Sequence, residues 1–349
     1  MKKFLTIAAI AITSLALTAC DNNGGTTNGE GSDFGAGIVT DISGVNDQSF
    51  NQSAWTGLQR LHDSTGARIN YLESDTDADI GPNLDRLLDE DKDILWAISF
   101  MAADAIASEA MTHPDQMYGI IDFNFGDDIL DNVVAVMFRD NENSFLAGYM
   151  AAKHSETGNI GFIGGGEIPI IEGFEAGFEA GAHYAAAKHG FDIEVQVQYI
   201  GNFFDATAAR SIALVMFTGG ADVAFAAAGG AGQGLIDAAI EMDRYVIGVD
   251  MDQRHLAPNH MIASTLKLVG DVMYDICMRM IAGENVGGQN VDVGIAEGGV
   301  GITPFDSSTA QLVDRAVFDS TMEVSEQIAE GSINVPSNRV ELQAFLAGL

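Results

Sequence analysis

Residues 34–72, FGAGIVTDISGVNDQSFNQSAWTGLQRLHDSTGARINYL, contain one complete unit of the predicted fold. A short apolar strand at 34–40 precedes a helix at 49–64, and a second strand follows at 69–72. Apolar side chains recur along one face of this helix, as expected of a helix that covers a sheet. A strand, a helix and a strand in this order are typical of a parallel βαβ unit.

The same alternation continues along the rest of the chain. We predict further strands at 94–99, 117–121, 133–138, 159–163, 193–200, 223–227, 245–249, 261–265 and about 291–295. We predict further helices at 80–89, 101–112, 143–154, 170–188, 205–218 and 232–242, one that ends at about 282, and a last one at 320–330. Because these strands are too many for one sheet, we expect an α/β protein with two doubly wound parallel sheets. Ligands should bind at the carboxyl ends of the strands.

The composition indicates a globular protein that does not bind polyanions. The chain has 349 residues, of which 47% are hydrophobic, and this length suits two α/β domains with real cores. Sixteen basic and 50 acidic residues give a net charge of −34. Such a charge repels nucleic acids and anionic lipid surfaces, so we expect no nucleic-acid partner.

The N-terminal segment has the features of an export signal. Lys2 and Lys3 precede an apolar stretch at 4–17, which is too short to span a bilayer comfortably. Residues 17–20, LTAC, resemble a bacterial lipoprotein box, which implies cleavage before Cys20 and a lipid on its sulfur. An ordinary signal peptide with an incidental cysteine is the alternative.

We therefore expect a signal peptide at 1–19 and a lipidated flexible tether at 20–33, which is rich in glycine and polar residues. The protein should be anchored in the cell membrane and face the periplasm or the cell exterior. The second cysteine, Cys277, lies in an amphipathic helical pattern and is expected to be buried without a disulfide partner.

Charged and aromatic residues follow several predicted strands. Asp41, Asp122 and Asp250 come directly after strands, and the adjacent Phe203 and Phe204 follow another. Parallel strands bring such residues to one edge, where they suit ligand binding. Helix capping, core packing or solvated loops explain single residues of these types about as well.

Five longer segments resemble the basic-membrane-protein family of lipoproteins, which includes the purine nucleoside receptors of the PnrA type. They are DISGVNDQSFNQSAWTGL (41–58), VMFRDNENSFLAGYMAA (136–152), GFIGGGEIPIIEGFEAGFEAG (161–181), FAAAGGAGQG (225–234) and YVIGVDMDQ (245–253). The resemblance extends from about 34 to about 330. It implies a periplasmic-binding-protein type I fold and a non-enzymatic solute receptor of an ABC importer, with a membrane permease as partner.

That fold has two lobes joined by a three-strand hinge, and we expect a monomer. By analogy with the family fold, the chain should cross between lobes near 139–140, 250–252 and 284–289. The N-terminal lobe is then expected to comprise 34–139 and 251–287, and the C-terminal lobe 140–250 and 288–349.

The resemblance also implies how a purine nucleoside (inosine, guanosine or adenosine) is bound. Phe50 corresponds to an aromatic residue that stacks on the purine, and Phe203 or Phe204 supplies the opposite ring. Asp122 corresponds to a carboxylate that pairs with the edge of the base.

The remaining matched positions concern the ribose and the walls of the site. Asp250 corresponds to an acceptor of ribose hydroxyls, and Lys267 to a lysine beside the same sugar. Further expected wall residues are Asp41, Asn51, Met101 and Gly229. No cofactor, metal ion or catalytic residue is implied.

Three other functions compete with this interpretation. A signalling receptor has the same binding lobes and differs only in its partner. A nucleoside hydrolase needs a metal-binding or nucleophilic cluster, and the acidic run at 75–79 has no histidine partner. The glycines at 229–234 suggest a dinucleotide site, but Leu235 stands where the G-x-G-x-x-G pattern needs glycine or alanine.

Overall fold

The structure, a computed structural model, describes residues 33–307 and 309–349. The predicted signal peptide, Cys20 and nearly all of the predicted tether lie outside the described residues. Within the described part of the chain, no helix combines the length and the apolar character needed to cross a bilayer.

Strands and helices alternate throughout these residues. The strands are β1 (Gly35–Thr40), β2 (Arg68–Leu72), β3 (Ile94–Ile98), β4 (Met117–Ile121), β5 (Val133–Phe138), β6 (Asn159–Gly164), β7 (Glu194–Tyr199), β8 (Val223–Ala227), β9 (Tyr245–Gly248), β10 (Met261–Lys267), β11 (Gln289–Val293) and β12 (Val300–Ile302). The helices are α1 (Phe50–Thr65), α2 (Ile80–Leu88), α3 (Ala103–Thr112), α4 (Asp140–His154), α5 (Pro169–His189), α6 (Ala206–Thr218), α7 (Gln233–Met242), α8 (Val269–Ile281), α9 (Arg315–Ala329) and α10 (Arg339–Leu346).

Two six-stranded sheets form the framework of a single compact unit. The first has the order β11-β5-β4-β3-β1-β2 and is parallel throughout. The second has the order β12-β10-β9-β8-β6-β7, in which only β12 pairs antiparallel. Every residue of β1, β3 and β8 is buried, as expected of strands covered on both faces. The predicted pair of doubly wound sheets is therefore confirmed.

The predicted lobe boundaries differ from the sheet topology in two places. The prediction assigned β10 to the first lobe and β11 to the second. Instead, β10 pairs with β9 in the second sheet, and β11 pairs with β5 in the first. The chain thus changes sheets after β5, after β10 and after β11, near 139, 268 and 294–299. Apolar patterns locate strands, but the partners of each strand depend on tertiary contacts.

Close helix packing at glycines supports both lobes. A Cβ added at Gly57 of α1 would lie 2.2 Å from the carbonyl oxygen of Gly270 in α8. A Cβ at Gly148 of α4 would lie 1.9 Å from the carbonyl oxygen of Phe178 in α5. These helix pairs approach so closely because no side chain separates their backbones.

The C-terminal region contains more helix than predicted. The prediction placed one last helix at 320–330, whereas α9 begins at Arg315 and α10 follows it. The eight residues of α10 include only one buried side chain, Leu342, so they carry little of the apolar periodicity that reveals a helix.

Candidate functional site

One cavity collects residues that follow strands of both sheets. Its lining includes Asp41 after β1, Met101 after β3, Phe203 after β7 and Gly229 after β8. In sheets with this strand order, the connections after two adjacent strands leave on opposite faces of the sheet, beside its first strand. A crevice opens between these connections at the carboxyl ends of the strands. About 750 Å³ in the cavity and its mouth, open solvent included, is free of protein atoms.

Eight of the ten predicted ligand residues line this cavity. They are Asp41, Phe50, Met101, Asp122, Phe203, Gly229, Asp250 and Lys267. The structure therefore brings together two aromatic rings, three carboxylates and one lysine that are far apart in sequence.

Asn51 and Phe204 do not line the cavity. Asn51 is fully buried, and its Nδ2 donates to Asp41 Oδ1 at 2.8 Å and to Asp47 Oδ2 at 2.9 Å. Its role here is to hold the loop between β1 and α1. Phe204 is 62% exposed, whereas its neighbour Phe203 lines the cavity. The choice between the two rings, left open by the sequence, therefore favours Phe203.

The start of α1 is fixed by Asp47 rather than by Ser49. The Asp47 carboxylate accepts hydrogen bonds from the backbone N–H groups of Ser49, Asn51 and Gln52, so it satisfies free donors of the first helical turn. The Ser49 hydroxyl is then free to donate to Asp250 Oδ2. This bond links a helix of the first lobe to a strand end of the second.

Lys267, at the end of β10, is held between two buried carboxylates. Its Nζ lies 2.7 Å from Asp122 Oδ2 and 2.8 Å from Asp140 Oδ2. The ammonium is also 5.0 Å from the centre of the Phe50 ring. These contacts position the lysine beside the aromatic wall of the cavity.

Burial and charge shift the pKa values of this network. Burial raises the pKa of Asp140 to about 7, although Lys267 opposes the shift. Burial also raises the pKa of Asp250 to about 6, against the opposing effects of Lys267 and the Ser49 hydroxyl. Burial alone lowers the pKa of Lys267, but the nearby aspartates outweigh it and raise that pKa, so the lysine stays charged.

Asp122 and Asp250 occupy equivalent positions in the two lobes. Each follows the fourth strand of its lobe and has a left-handed backbone, with φ of 66° and 65°. Aspartate tolerates this conformation better than most residues. Asp122 Oδ1 is buried and accepts no hydrogen bond from the described residues. A buried acceptor without a partner, in a residue that lines a cavity, is suited to a ligand donor.

Several residues of the site were not predicted from the sequence. Asp140 begins α4, and its importance depends on a lysine 127 positions away. Phe174 lines the cavity from within the apolar pattern of α5, where it resembles a core residue. Ser99 accepts a hydrogen bond from the backbone N–H of Met101 at 3.1 Å and so shapes the connection after β3. The one sequence feature that could have indicated Ser99 as a site residue is its position as a polar residue directly after a strand.

The motifs behind the competing functions form local structure. In the acidic run at 75–79, Asp79 Oδ2 accepts hydrogen bonds from the backbone and the hydroxyl of Thr76, both at 2.8 Å. Gly229–Gly232 form a short 3₁₀ helix that leads into α7. Cys277 is buried, as predicted, and burial raises the pKa of its thiol.

Known proteins share both the sequence and the architecture. Residues 36–339 match the family described as "ABC transporter substrate-binding protein PnrA-like". The chain is 36% identical to the ABC transporter nucleoside-binding protein BmpA of Lactococcus lactis subsp. cremoris, over 96% of this chain and 99% of that one. It is also 36% identical to basic membrane protein B of Borreliella burgdorferi, over 97% of each chain.

Among solved structures, an ABC transporter solute-binding protein from Aeropyrum pernix K1 superimposes with a TM-score of 0.81 at 23% identity, over 90% of this chain and 98% of that one. This likeness concerns the fold, which is the periplasmic-binding-protein type I fold. The family match and the near full-length relatives show, beyond the fold, to which family the sequence belongs. The chain belongs to the PnrA-like family of ABC transporter substrate-binding proteins.

Proposed function

We propose that this protein is a lipid-anchored receptor that binds purine nucleosides outside the cytoplasm and delivers them to an ABC permease. One observation carries the proposal: a single cavity combines the rings of Phe50 and Phe203 with the carboxylates of Asp122 and Asp250. The relative from Lactococcus lactis is named as a nucleoside-binding protein, which supports the same ligand class.

The base is recognised by stacking and by one buried acceptor. Phe50 and Phe203 supply aromatic faces, and stacking contributes about 1–3 kcal/mol per base. Asp122 Oδ1 has no hydrogen-bond partner among the described residues. In the complex it accepts a hydrogen bond from an N–H group on the purine edge. Stacking tolerates different purines, so the hydrogen bond sets the orientation of the base more than its identity.

The ribose is recognised at the opposite side of the network. The carboxylate of Asp250 accepts hydrogen bonds from sugar hydroxyls, and Lys267 lies beside it, since its backbone N–H donates to the carbonyl oxygen of Asp250 at 2.9 Å. A deoxy analogue leaves part of this buried carboxylate without a donor, which costs about 1–3 kcal/mol. The cavity lining contains no second cation beside Lys267, so it suits a neutral nucleoside better than a nucleotide.

Binding is coupled to closure of the two lobes. The Ser49–Asp250 bond and the bond from Gln253 Nε2 to the carbonyl oxygen of Gln48, at 3.0 Å, connect the lobes at one side of the cavity. A nucleoside that contacts both walls adds to these links and shifts the population to the closed form. The anchor at Cys20 keeps the receptor near its permease.

Calorimetric titration of residues 21–349 tests the proposal. We expect saturable heat with inosine, guanosine or adenosine, and much weaker binding of cytidine and ribose. Absence of binding by every nucleoside refutes the proposal, and release of free base supports a hydrolase instead.

The variant Asp250→Ala separates the sugar contact from the base contact. It should weaken inosine binding by about 5- to 150-fold, from the loss of about 1–3 kcal/mol, and weaken hypoxanthine binding far less, because the free base loses only the Ser49–Asp250 link between the lobes. The matched control Asp243→Ala removes a carboxylate that is 96% exposed and should change neither. Equal losses for nucleoside and free base contradict the ribose role.

A further inference from the structure

A second cluster of ionisable side chains lies on the first lobe, away from the nucleoside cavity. Asp85 of α2, Glu109 of α3 and His113 after α3 each offer one atom, and these atoms lie within 4.8 Å of one another. His113 Nε2 is 3.7 Å from Glu109 Oε2, one helical turn away. None of the three lines the cavity described above.

A buried tyrosine beneath the two helices gives the cluster a further donor atom. Tyr118 is fully buried on β4 and packs with Leu84 and Ile106 in the core under α2 and α3. Its hydroxyl has no hydrogen-bond partner among the described residues. Leu84 precedes Asp85, and Ile106 lies one turn before Glu109, so the phenol lies beneath the parts of α2 and α3 that carry the cluster. Buried hydroxyls are normally paired, so this one requires an explanation.

The charges of the cluster are unbalanced without a cation. The carboxylates of Asp85 and Glu109 offer oxygen atoms within 4.8 Å of each other, and one divalent cation neutralises the negative charge that they carry. The carboxyl end of α3 adds the negative end of the helix dipole.

The end of α3 is held in place before any ion binds. Asn132 Nδ2 donates to the carbonyl oxygens of Ala110, His113 and Gln116, at 2.9 to 3.1 Å. The backbone N–H of His113 also donates to the carbonyl oxygen of Glu109 at 2.8 Å. The imidazole is therefore presented from a fixed backbone, and only side-chain rotations are needed to complete a site.

We propose that Asp85, Glu109 and His113 bind one divalent cation that joins α2 to α3, with the Tyr118 hydroxyl directed at the ion. Bonds of about 2.0–2.2 Å in a tetrahedral site place ligand atoms about 3.3–3.6 Å apart. The Glu109–His113 separation is already close to this, and a rotation of the exposed Asp85 side chain brings its carboxylate inward. Imidazole with carboxylates favours Zn²⁺ over Mg²⁺.

Calorimetry on the full chain in detergent, freed of metal with a chelator that is then removed, tests the site. We expect saturable binding of one Zn²⁺ per chain and little response to Mg²⁺. At a free Zn²⁺ concentration about 100 times the Kd, Tm should rise by about 4 °C. His113→Ala should weaken Zn²⁺ binding by at least about tenfold, and Tyr118→Phe should weaken it measurably.

The control His189→Ala makes the same change at an exposed position at the end of α5 and should leave Zn²⁺ binding unchanged. Circular dichroism and thermal unfolding of the metal-free samples report whether each variant is folded, so this test stays separate from the proposed transport function. Zn²⁺ affinity that is the same in wild type and His113→Ala, or lost equally in His189→Ala, overturns the proposal.

Discussion

Replacing Lys267 with methionine tests the charge balance beside the cavity. Methionine retains most of the lysine stem but removes the ammonium, whose Nζ lies 2.7 Å from Asp122 and 2.8 Å from Asp140. Both carboxylates are buried. The variant therefore leaves two buried acidic groups without their cation, and we expect a loss of folding stability in addition to weaker ligand binding.

The size of this loss follows from the burial of the network. Removal of one partner from a buried ion pair costs about 3–5 kcal/mol, because the remaining charge stays in a medium of low dielectric. An unfolding entropy of about 2.1 cal/mol/K per residue amounts to about 0.6 kcal/mol/K for roughly 300 residues. We therefore expect Lys267→Met to lower Tm by about 5–8 °C at pH 8.

The loss should depend on pH in a defined direction. Burial raises the pKa of Asp140 from 3.8 to about 7 in the presence of Lys267, which opposes the shift. Without the lysine this pKa rises further. A carboxyl whose folded-state pKa is raised stabilises the protein fully below its unfolded pKa, and this contribution is lost as the pH rises through the folded-state pKa. The variant should therefore differ most from wild type at pH 8 and least below pH 7.

Thermal unfolding followed by circular dichroism at pH 5, 6, 7 and 8 measures both effects. Lys188→Met, at an exposed position in the last turn of α5, is the matched control and should lie close to wild type at every pH. A Tm loss below about 2 °C at pH 8, or an equal loss at all four values, refutes this account of the network.

Three further predictions concern the same lobes. Nucleoside affinity in the wild type should fall as the pH drops through about 6, because protonation removes an acceptor from Asp250. The variant Asp250→Asn should bind nucleosides weakly and show no such pH dependence. Calorimetry at pH 5 and 8 checks both expectations. Phe203→Ala should weaken inosine by about 5- to 150-fold, from about 1–3 kcal/mol of stacking, whereas the exposed Phe204→Ala should change it less than about twofold; equal effects contradict the assignment. Gly148→Ala should lower Tm by about 2–5 °C, since overpacking costs about 1–3 kcal/mol, whereas Gly81→Ala in the open first turn of α2 should not lower it.

Residues at strand ends were the most predictable part of the site. Asp41, Asp122 and Asp250 follow short apolar runs, and the carboxyl ends of parallel strands meet at one edge regardless of how the strands are ordered. Local pattern was therefore sufficient to place all three carboxylates at the same cavity.

Features that depend on long-range pairing were not predictable in this way. The order of strands within each sheet decides to which lobe β10 and β11 belong, and neither strand carries that information in its own residues. Asp140 likewise looks in the sequence like an ordinary acidic residue in the first turn of a helix. Its role in the site follows only from its contact with Lys267. The adjacent Phe203 and Phe204 have the same chemistry, and only the turn after β7 decides which ring faces the cavity.

The arrangement of charges also explains why a neutral ligand suits this site. Four aspartates line the cavity with a single lysine, and that lysine already contacts Asp122. Lys267 thus reduces the repulsion between buried carboxylates instead of offering a free positive charge to a phosphate. Each carboxylate that remains unpaired requires a hydrogen-bond donor from the ligand. A nucleoside brings N–H and O–H donors and no charge, whereas a nucleotide adds two negative charges to a wall that cannot neutralise them.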